Sequence, residues 1–217
     1  FKTEPDETMN NRSINYPRGK TLGGSSSING LLYIRGQEED YNTWRQLGNV
    51  GWNWNDVLPY FLKAENQEHG NSKFHNANGP LAVSDQRIRL DILDEFMNAA
   101  EEMGIPKVTD FNKGDNYGCG YFQVTVKNGL RCSTSVAYLK PIKNRNNLKI
   151  EIKAHVKNID FENTKATGLS YWKNNKLIKV KAKKEVILSA GSIGSPHILQ
   201  VSGIGESSKL KKHGIKV

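Results

Sequence analysis

Residues 18–36, RGKTLGGSSSINGLLYIRG, place two adjacent glycines and three consecutive serines between a basic Arg-Gly-Lys and an apolar run. Gly23 and Gly24 lack a Cβ, so the backbone there can come within van der Waals distance of a flat or phosphorylated ligand and present N–H groups to it. Ser25, Ser26 and Ser27 add hydroxyls that donate and accept. From Ile28 the run Ile-Asn-Gly-Leu-Leu-Tyr-Ile is too apolar for a surface loop, which predicts that the turn leads straight into buried structure. A polar turn anchored in a core suits a pre-formed cofactor site. The competing reading is a Gly/Ser linker, and the aliphatic flank argues against it.

Two commoner phosphate motifs fail on spacing. Gly19-Lys20-Thr21 looks like the end of a P-loop, but that motif needs glycine where this chain has Ile14. The dinucleotide fingerprint is absent too: Gly118-Cys119-Gly120 runs into Gln123, and Gly203-Ile204-Gly205 into Ser208. If a dinucleotide binds, its first βαβ unit is expected outside these 217 residues. With a polar start at Phe1 and a stop at Val217 after a predicted helix, the chain reads as an internal fragment.

The length allows one large or two small domains. No run approaches the ~20 apolar residues of a membrane span, and no signal peptide is visible. The formal charge of +9 comes from dispersed lysines, densest at 179–184 and 209–212. Without aromatic-basic interleaving or a recognisable module, this argues against a nucleic-acid partner; an acidic substrate, or compensating acidic residues outside these 217, accounts for the excess equally well. Cys119 and Cys132 are too few and too far apart for a metal cluster and read as free thiols, with a disulfide as the alternative. His69 and His75 flank a Gly/Asn/Ser loop and read as surface histidines, with no metal site expected. Asn11-Arg12-Ser13 matches the glycosylation triplet, which matters only in a secreted protein.

Tyr41, Trp44 and Leu47 are spaced for one face of a helix ending at Gly48. After an aromatic turn at 51–54, Asn55 is the expected cap of a second helix with Val57, Leu58, Phe61 and Leu62 inward and Pro59 near its first turn. Residues 66–80 form a loop by composition, followed by a strand at 81–83. Leu90, Leu93, Met97 and Ala100, widened by Ile92, Phe96 and Ala99, predict a core-facing helix stopped by Gly104. A strand at 122–126 and a short helix from Ser133-Thr134 to Pro141 come next. From Leu148 the period is two, and Ile159 and Phe161 resume out of phase with Val156, which predicts a bulge. Strands at 169–172 and 177–182 around Asn174-Asn175 complete an antiparallel meander. Residues 185–189 read as a strand buried on both faces. Ala190-Gly191-Ser192 then leads to a helix with Ser195 as cap, Pro196 at the first helical position and Ser202-Gly203 at its end, whose N-terminus suits a dinucleotide.

GKTLGGSSSIN at 19–29 with Tyr33-Ile34-Arg35-Gly36 resembles the first signature of the glucose-methanol-choline oxidoreductases, and LSAGSIGSPHILQVSGIG at 188–205 the second. GLRCSTSVAYLKP at 129–141 is similar to the arthropod glucose dehydrogenase branch. Gln200 stands where the family usually has a hydrophobic residue. The resemblance runs essentially end to end and implies an α/β chain with α+β character: a doubly wound FAD-binding domain with a sheet-based substrate domain inserted. On that basis residues 1–65 and 146–217 belong to the FAD-binding part and 66–145 to the substrate-binding part.

The same resemblance implies FAD and hydride transfer from an alcohol or sugar CH–OH group to the flavin, with electrons passing to a quinone-like acceptor or to oxygen. Leu22, Gly23, Gly24, Ser25, Ser26, Asn29, Gly30 and Leu31 would line the flavin and pyrophosphate. Val156 would meet the adenine through its backbone, and Ala190 and Gly191 would lie near the adenosine. Members with a flavin–histidine bond carry that histidine just before the Asn of the Gly-Gly-Ser motif; here Ile28 precedes Asn29, which implies non-covalent FAD. The family's basic histidine lies near the C-terminus, beyond this chain, so no catalytic residue is assigned here. An extracellular location is implied as well. The alternative is a catalytically silent relative kept for binding or structure.

Overall fold

The computed structural model describes residues 1–217 as two compact units, Phe1–Leu148 and Lys149–Val217. The first contains α1 (Glu38–Gln46), α2 (Trp54–Ala64), β1 (Glu65–Gln67), β2 (Leu81–Val83), α3 (Asp91–Glu102), β3 (Val126–Lys127) and β4 (Leu130–Arg131). Helix α2 starts earlier than Asn55: Asn53 Oδ1 accepts from Asp56 N at 3.0 Å, and Asp56 Oδ2 accepts from Asn53 N at 3.3 Å. This reciprocal pair satisfies two donors at the helix start. It also leaves Pro59 well inside the helix rather than in its first turn. Tyr41 of α1 packs against Trp54 and Phe61 of α2, with ring centroids 5.8 and 5.7 Å apart.

β1 and β2 pair in parallel with Glu65 opposite Leu81. Val124 bridges both Leu32 and Ser84, so the strand expected at 122–126 survives as a stitch between two extended segments. Cys132 and Ala137 join Ala82 in a small core, both cysteines being free. The short helix is a π turn, Ser135–Leu139, that continues into a 3-10 turn, Lys140–Ile142. Pro141 thus sits at the start of a new turn, where no N–H is needed, instead of ending the helix. α3 forms as its pattern dictates, but its stripe is not core. Ala100 alone is buried, and Phe96 is 66 % exposed. Amphipathic spacing is enough to make the helix, but burying its face needs a second element, which this unit does not supply.

The second unit is a meander of β5 (His155–Glu162), β6 (Lys165–Lys173) and β7 (Lys176–Lys181), followed by α4 (Gly191–Val201) and α5 (Ser207–Lys212). The β6–β7 loop is Asn174-Asn175, both left-handed at φ 49° and 59°, as a two-residue hairpin whose twist matches its strands requires. The register shifts between Val156 and Asn158, which is the expected bulge. Residues 148–154 lie outside the strand. α4 packs on β5, where Ser202 Oγ accepts from Ile159 N at 2.8 Å.

Two expectations fail in this unit. Residues 185–189 form no strand, and Ile187 is 79 % exposed. A strand apolar on both faces is held by parallel neighbours, and no segment here pairs with it. α4 begins at Gly191, not at Pro196. Ser195 Oγ accepts from Ala190 N at 2.9 Å from inside the helix, where Pro196 also lies. No helix is long and apolar enough to cross a membrane.

Candidate cofactor site

The Gly/Ser stretch folds as a tight 3-10 turn, Gly24–Ser27, entered through two left-handed glycines, Gly23 at φ 88° and Gly24 at φ 54°. An L side chain at such angles is strained, so two in succession favour glycine. Packing adds a second demand. A Cβ on Gly19 would lie 2.1 Å from Gly24 O, and one on Gly23 would lie 2.5 Å from Ser27 Oγ. At Gly24 and Gly30 the case is reversed: a Cβ there meets nothing within 4 Å. The turn is thus closed against the protein on one side and open on the other, the cradle a close-lying ligand needs.

The serine hydroxyls hold the turn's shape. Ser26 Oγ donates to Gly23 O at 2.5 Å and accepts from Thr134 N at 3.0 Å. Ser27 Oγ donates to Leu22 O at 2.9 Å, and Ser25 Oγ accepts from Gly19 N at 3.1 Å. Arg131 Nη1 ties the turn's exit by donating to Ser26 O at 3.1 Å and to Asn29 Oδ1 at 2.8 Å. Leu31, an aliphatic residue, is left-handed at φ 70°. Its N–H donates to Asn29 Oδ1 at 3.2 Å, and its carbonyl accepts from both Thr125 N at 2.8 Å and Thr125 Oγ1 at 3.2 Å. Strain of this kind persists only where surrounding bonds over-determine it, and such places cluster at ligand clamps.

The aliphatic run does not enter a core as expected. Leu22, Ile28, Leu32 and Ile34 are all exposed, while the backbone between them is pinned, Tyr33 N donating to Gln123 O at 2.8 Å. Backbone pairing holds this segment extended without covering its side chains. Open glycines flanked by bare aliphatic side chains fit a flat ring system.

Behind this segment lies a polar cluster that the sequence reading missed. Arg35 is 5 % exposed and Glu65 is wholly buried. Arg35 Nη2 sits 2.9 Å from Glu65 Oε2, an ion-pair contact outside hydrogen-bond geometry, while its Nη1 donates to Phe74 O at 2.7 Å. His75 Nδ1 is 3.1 Å from both Glu65 oxygens, and its Nε2 is 2.8 Å from Asp110 Oδ2. His75 is therefore no surface histidine; it is 7 % exposed and bridges two carboxylates. The Asp110 hydrogen bond, then that of Glu65, raises the His75 pKa to about 9 against the opposing pull of burial. Burial raises the Asp110 carboxyl, but the hydrogen bonds from His75 and Asn112 N and the charges of His75 and Lys113 prevail and hold it below its ordinary value. Asn112 closes the frame, its Oδ1 accepting from Arg35 N at 2.7 Å and its Nδ2 donating to Tyr33 O at 3.3 Å. The only sequence signal was Arg35 inside the quoted Tyr-Ile-Arg-Gly; its partners follow no period.

The remaining candidates lie in the other unit. Val156 is half-buried at the β5 bulge, opposite Tyr171. Ala190 and Gly191 are exposed at the start of α4, with Gly191 left-handed at φ 83°. His69, by contrast, is on the surface as expected, 3.0 Å from Asp85.

Comparison with known proteins bears on all of this. The chain is 43% identical to an alcohol dehydrogenase [acceptor] of Pseudomonas putida over 99% of its own length and 40% of that protein's. It is 41% identical to mitochondrial choline dehydrogenase of Homo sapiens over 100% of its own length and 36% of that protein's. Among solved structures, an FAD-dependent oxidoreductase from Chaetomium thermophilum superposes with a TM-score of 0.91 at 31% identity, over 100% of this chain and 40% of that one. Pyridoxine 4-oxidase from Mesorbium loti superposes at 0.90 with 27% identity, over 100% of this chain and 43% of that one. The chain thus spans about two-fifths of the length of these relatives. Its mixed helices and strands are part of the FAD-binding domain fold they share. The GMC oxidoreductase family profile matches residues 6–215, and the chain belongs to that family.

Proposed function

We propose that this chain forms part of an enzyme that oxidises the CH–OH group of a small alcohol, with FAD as its cofactor. The observation that carries the reading is the turn at Gly24, left-handed and open where a Cβ would stand, inside a chain matching the GMC oxidoreductases over residues 6–215. When bound, FAD supplies the hydride acceptor. Leu22, Gly23, Gly24, Ser25, Ser26, Asn29, Gly30 and Leu31 would hold the flavin, the glycines admitting it and Leu22 and Leu31 excluding water. Val156, Ala190 and Gly191 would meet the adenosine. Residues 1–65 and 146–217 belong to the cofactor-binding part and 66–145 to the substrate-binding part.

Choline and alcohols are the substrates in the names of the two curated relatives. A sugar substrate and a quinone-like acceptor are the finer reading, supported by the resemblance of GLRCSTSVAYLKP at 129–141 to glucose dehydrogenases. The full-length protein, purified and scanned for flavin absorbance, should turn over a panel of glucose, choline and primary alcohols with a soluble quinone. Oxygen uptake in its place would make the enzyme an oxidase. A colourless, flavin-free protein that oxidises none of these would favour the silent relative.

A further inference from the structure

The excess charge of the chain lies in one place. Phe1–Leu148 is balanced, with seventeen basic and seventeen acidic side chains, whereas Lys149–Val217 carries fourteen lysines against five acids and so holds the whole excess of +9. Of those lysines, only Lys149, Lys173 and Lys209 pair with a carboxylate. Six of the fourteen fall within residues 173–184, along β7 and its two flanks. β7 pairs on one side only, with β6, so it is the edge of the sheet. Lysine at an edge blunts strand-to-strand aggregation, a purpose that one or two would serve.

The row of lysines is not purely polar. Trp172 and Leu177 are directly opposite across the β6–β7 ladder, and both are exposed, Trp172 at 42 %. Strand alternation puts Leu177 on the same face as Lys179 and Lys181. An exposed indole beside an aliphatic residue, set among unpaired lysines, combines two marks of an interfacial surface: an aromatic ring suited to headgroup depth and flexible cations for anionic headgroups. An acidic folded protein would need carboxylates matched to the lysine spacing. A bilayer asks only for an outward-facing apolar pair and mobile charge.

We propose that the β6–β7 face docks on the surface of an anionic lipid bilayer, with Trp172 and Leu177 at the headgroup boundary and Lys179 and Lys181 over the charged lipids. Contact is peripheral and reversible, falling as salt rises.

The test is sedimentation of the full-length protein with phosphatidylcholine vesicles, with and without phosphatidylserine, at low and high salt. Binding is expected only with phosphatidylserine and only at low salt. A lysine at such a surface contributes about 5-fold in affinity, so the double variant K179Q/K181Q should bind about 25-fold more weakly. Trp172→Ala should weaken vesicle binding while leaving retention on heparin unchanged. Flavin content and circular dichroism report whether each variant is folded, and the single variant Lys179→Gln serves if the double one is not. Binding of the wild type that ignores phosphatidylserine or salt overturns the proposal. So does heparin retention without vesicle binding, which would mark the face as a site for soluble polyanions or acidic proteins.

Discussion

His75 and Asp110, thirty-five residues apart in sequence, meet at 2.8 Å between Nε2 and Oδ2 and make His75 a buried cation with a carboxylate on each side. Its pKa rises from 6.5 to about 9 on folding. A group whose folded pKa is raised contributes stability that is fully present below its unfolded value and lost as pH climbs through the folded one. His75 should therefore stabilise the fold fully below pH 6.5, with that contribution lost as pH climbs through about 9. Asp110, held low, has the opposite sign: its contribution is present above its unfolded value near 3.8 and lost as pH falls further. Urea midpoints measured across this range should decline on the alkaline side for wild type and stay flat there for His75→Gln. Parallel curves for the two proteins would refute the assignment.

Arg35→Met should cost about 3–5 kcal/mol, because it strands Glu65 as a buried carboxylate with one cation removed. Arg35→Lys should recover little. A lysine cannot keep the contact to Glu65 and the bond to Phe74 O while its head lies over the Phe61 ring, where the guanidinium carbon sits 5.3 Å from the centroid. Adding Glu65→Leu to Arg35→Met should restore part of the loss, since it removes the stranded carboxylate while His75 keeps Asp110 as its partner. Denaturant titration of the three variants gives the coupling directly.

Gly24→Val should leave the protein folded and colourless. The added Cβ meets no protein atom within 4 Å, so it intrudes on the ligand's space, at the cost of backbone strain at φ 54°. Gly19→Ala should unfold the turn instead, its Cβ striking Gly24 O. Visible flavin absorbance against circular dichroism separates the two. A fully yellow Gly24→Val protein would remove this turn from the cofactor site.

Ile28 cannot form a bond to flavin, since an aliphatic side chain offers no nucleophile. Acid precipitation of the full-length protein should leave all the flavin in the supernatant. Yellow colour in the washed pellet would count against non-covalent FAD.

What could be read from the sequence was local. The Asn174-Asn175 hairpin and the bulge after Val156 showed because turn chemistry and a phase slip in the alternation are each confined to a few consecutive residues. The turn at Gly23-Gly24 showed because only glycine meets its demands. The network of Arg35, Glu65, His75 and Asp110 left no such trace: four separated segments contribute one residue each, and burial of a charged side chain depends on partners that no period marks. Residues 185–189 and the α3 stripe were misread for a related reason. Apolar pattern predicts what a segment is able to bury, and whether it does so depends on what lies against it.

The two connections of the meander are two residues each, at 163–164 and 174–175, so its ladders join residues close in sequence. Hairpins of this kind close in about 1–10 μs. The other unit must bring Arg35 to Asn112 across seventy-seven residues before its polar cluster exists, and loops of that length are slow to reward their closure. Within these residues the order of folding therefore runs against the order of synthesis: the sheet, made after the first unit, can form while that unit is still searching. Pulse-labelling hydrogen exchange should show the amides of Tyr171 and Ile178 protected before those of Tyr33 and Thr125.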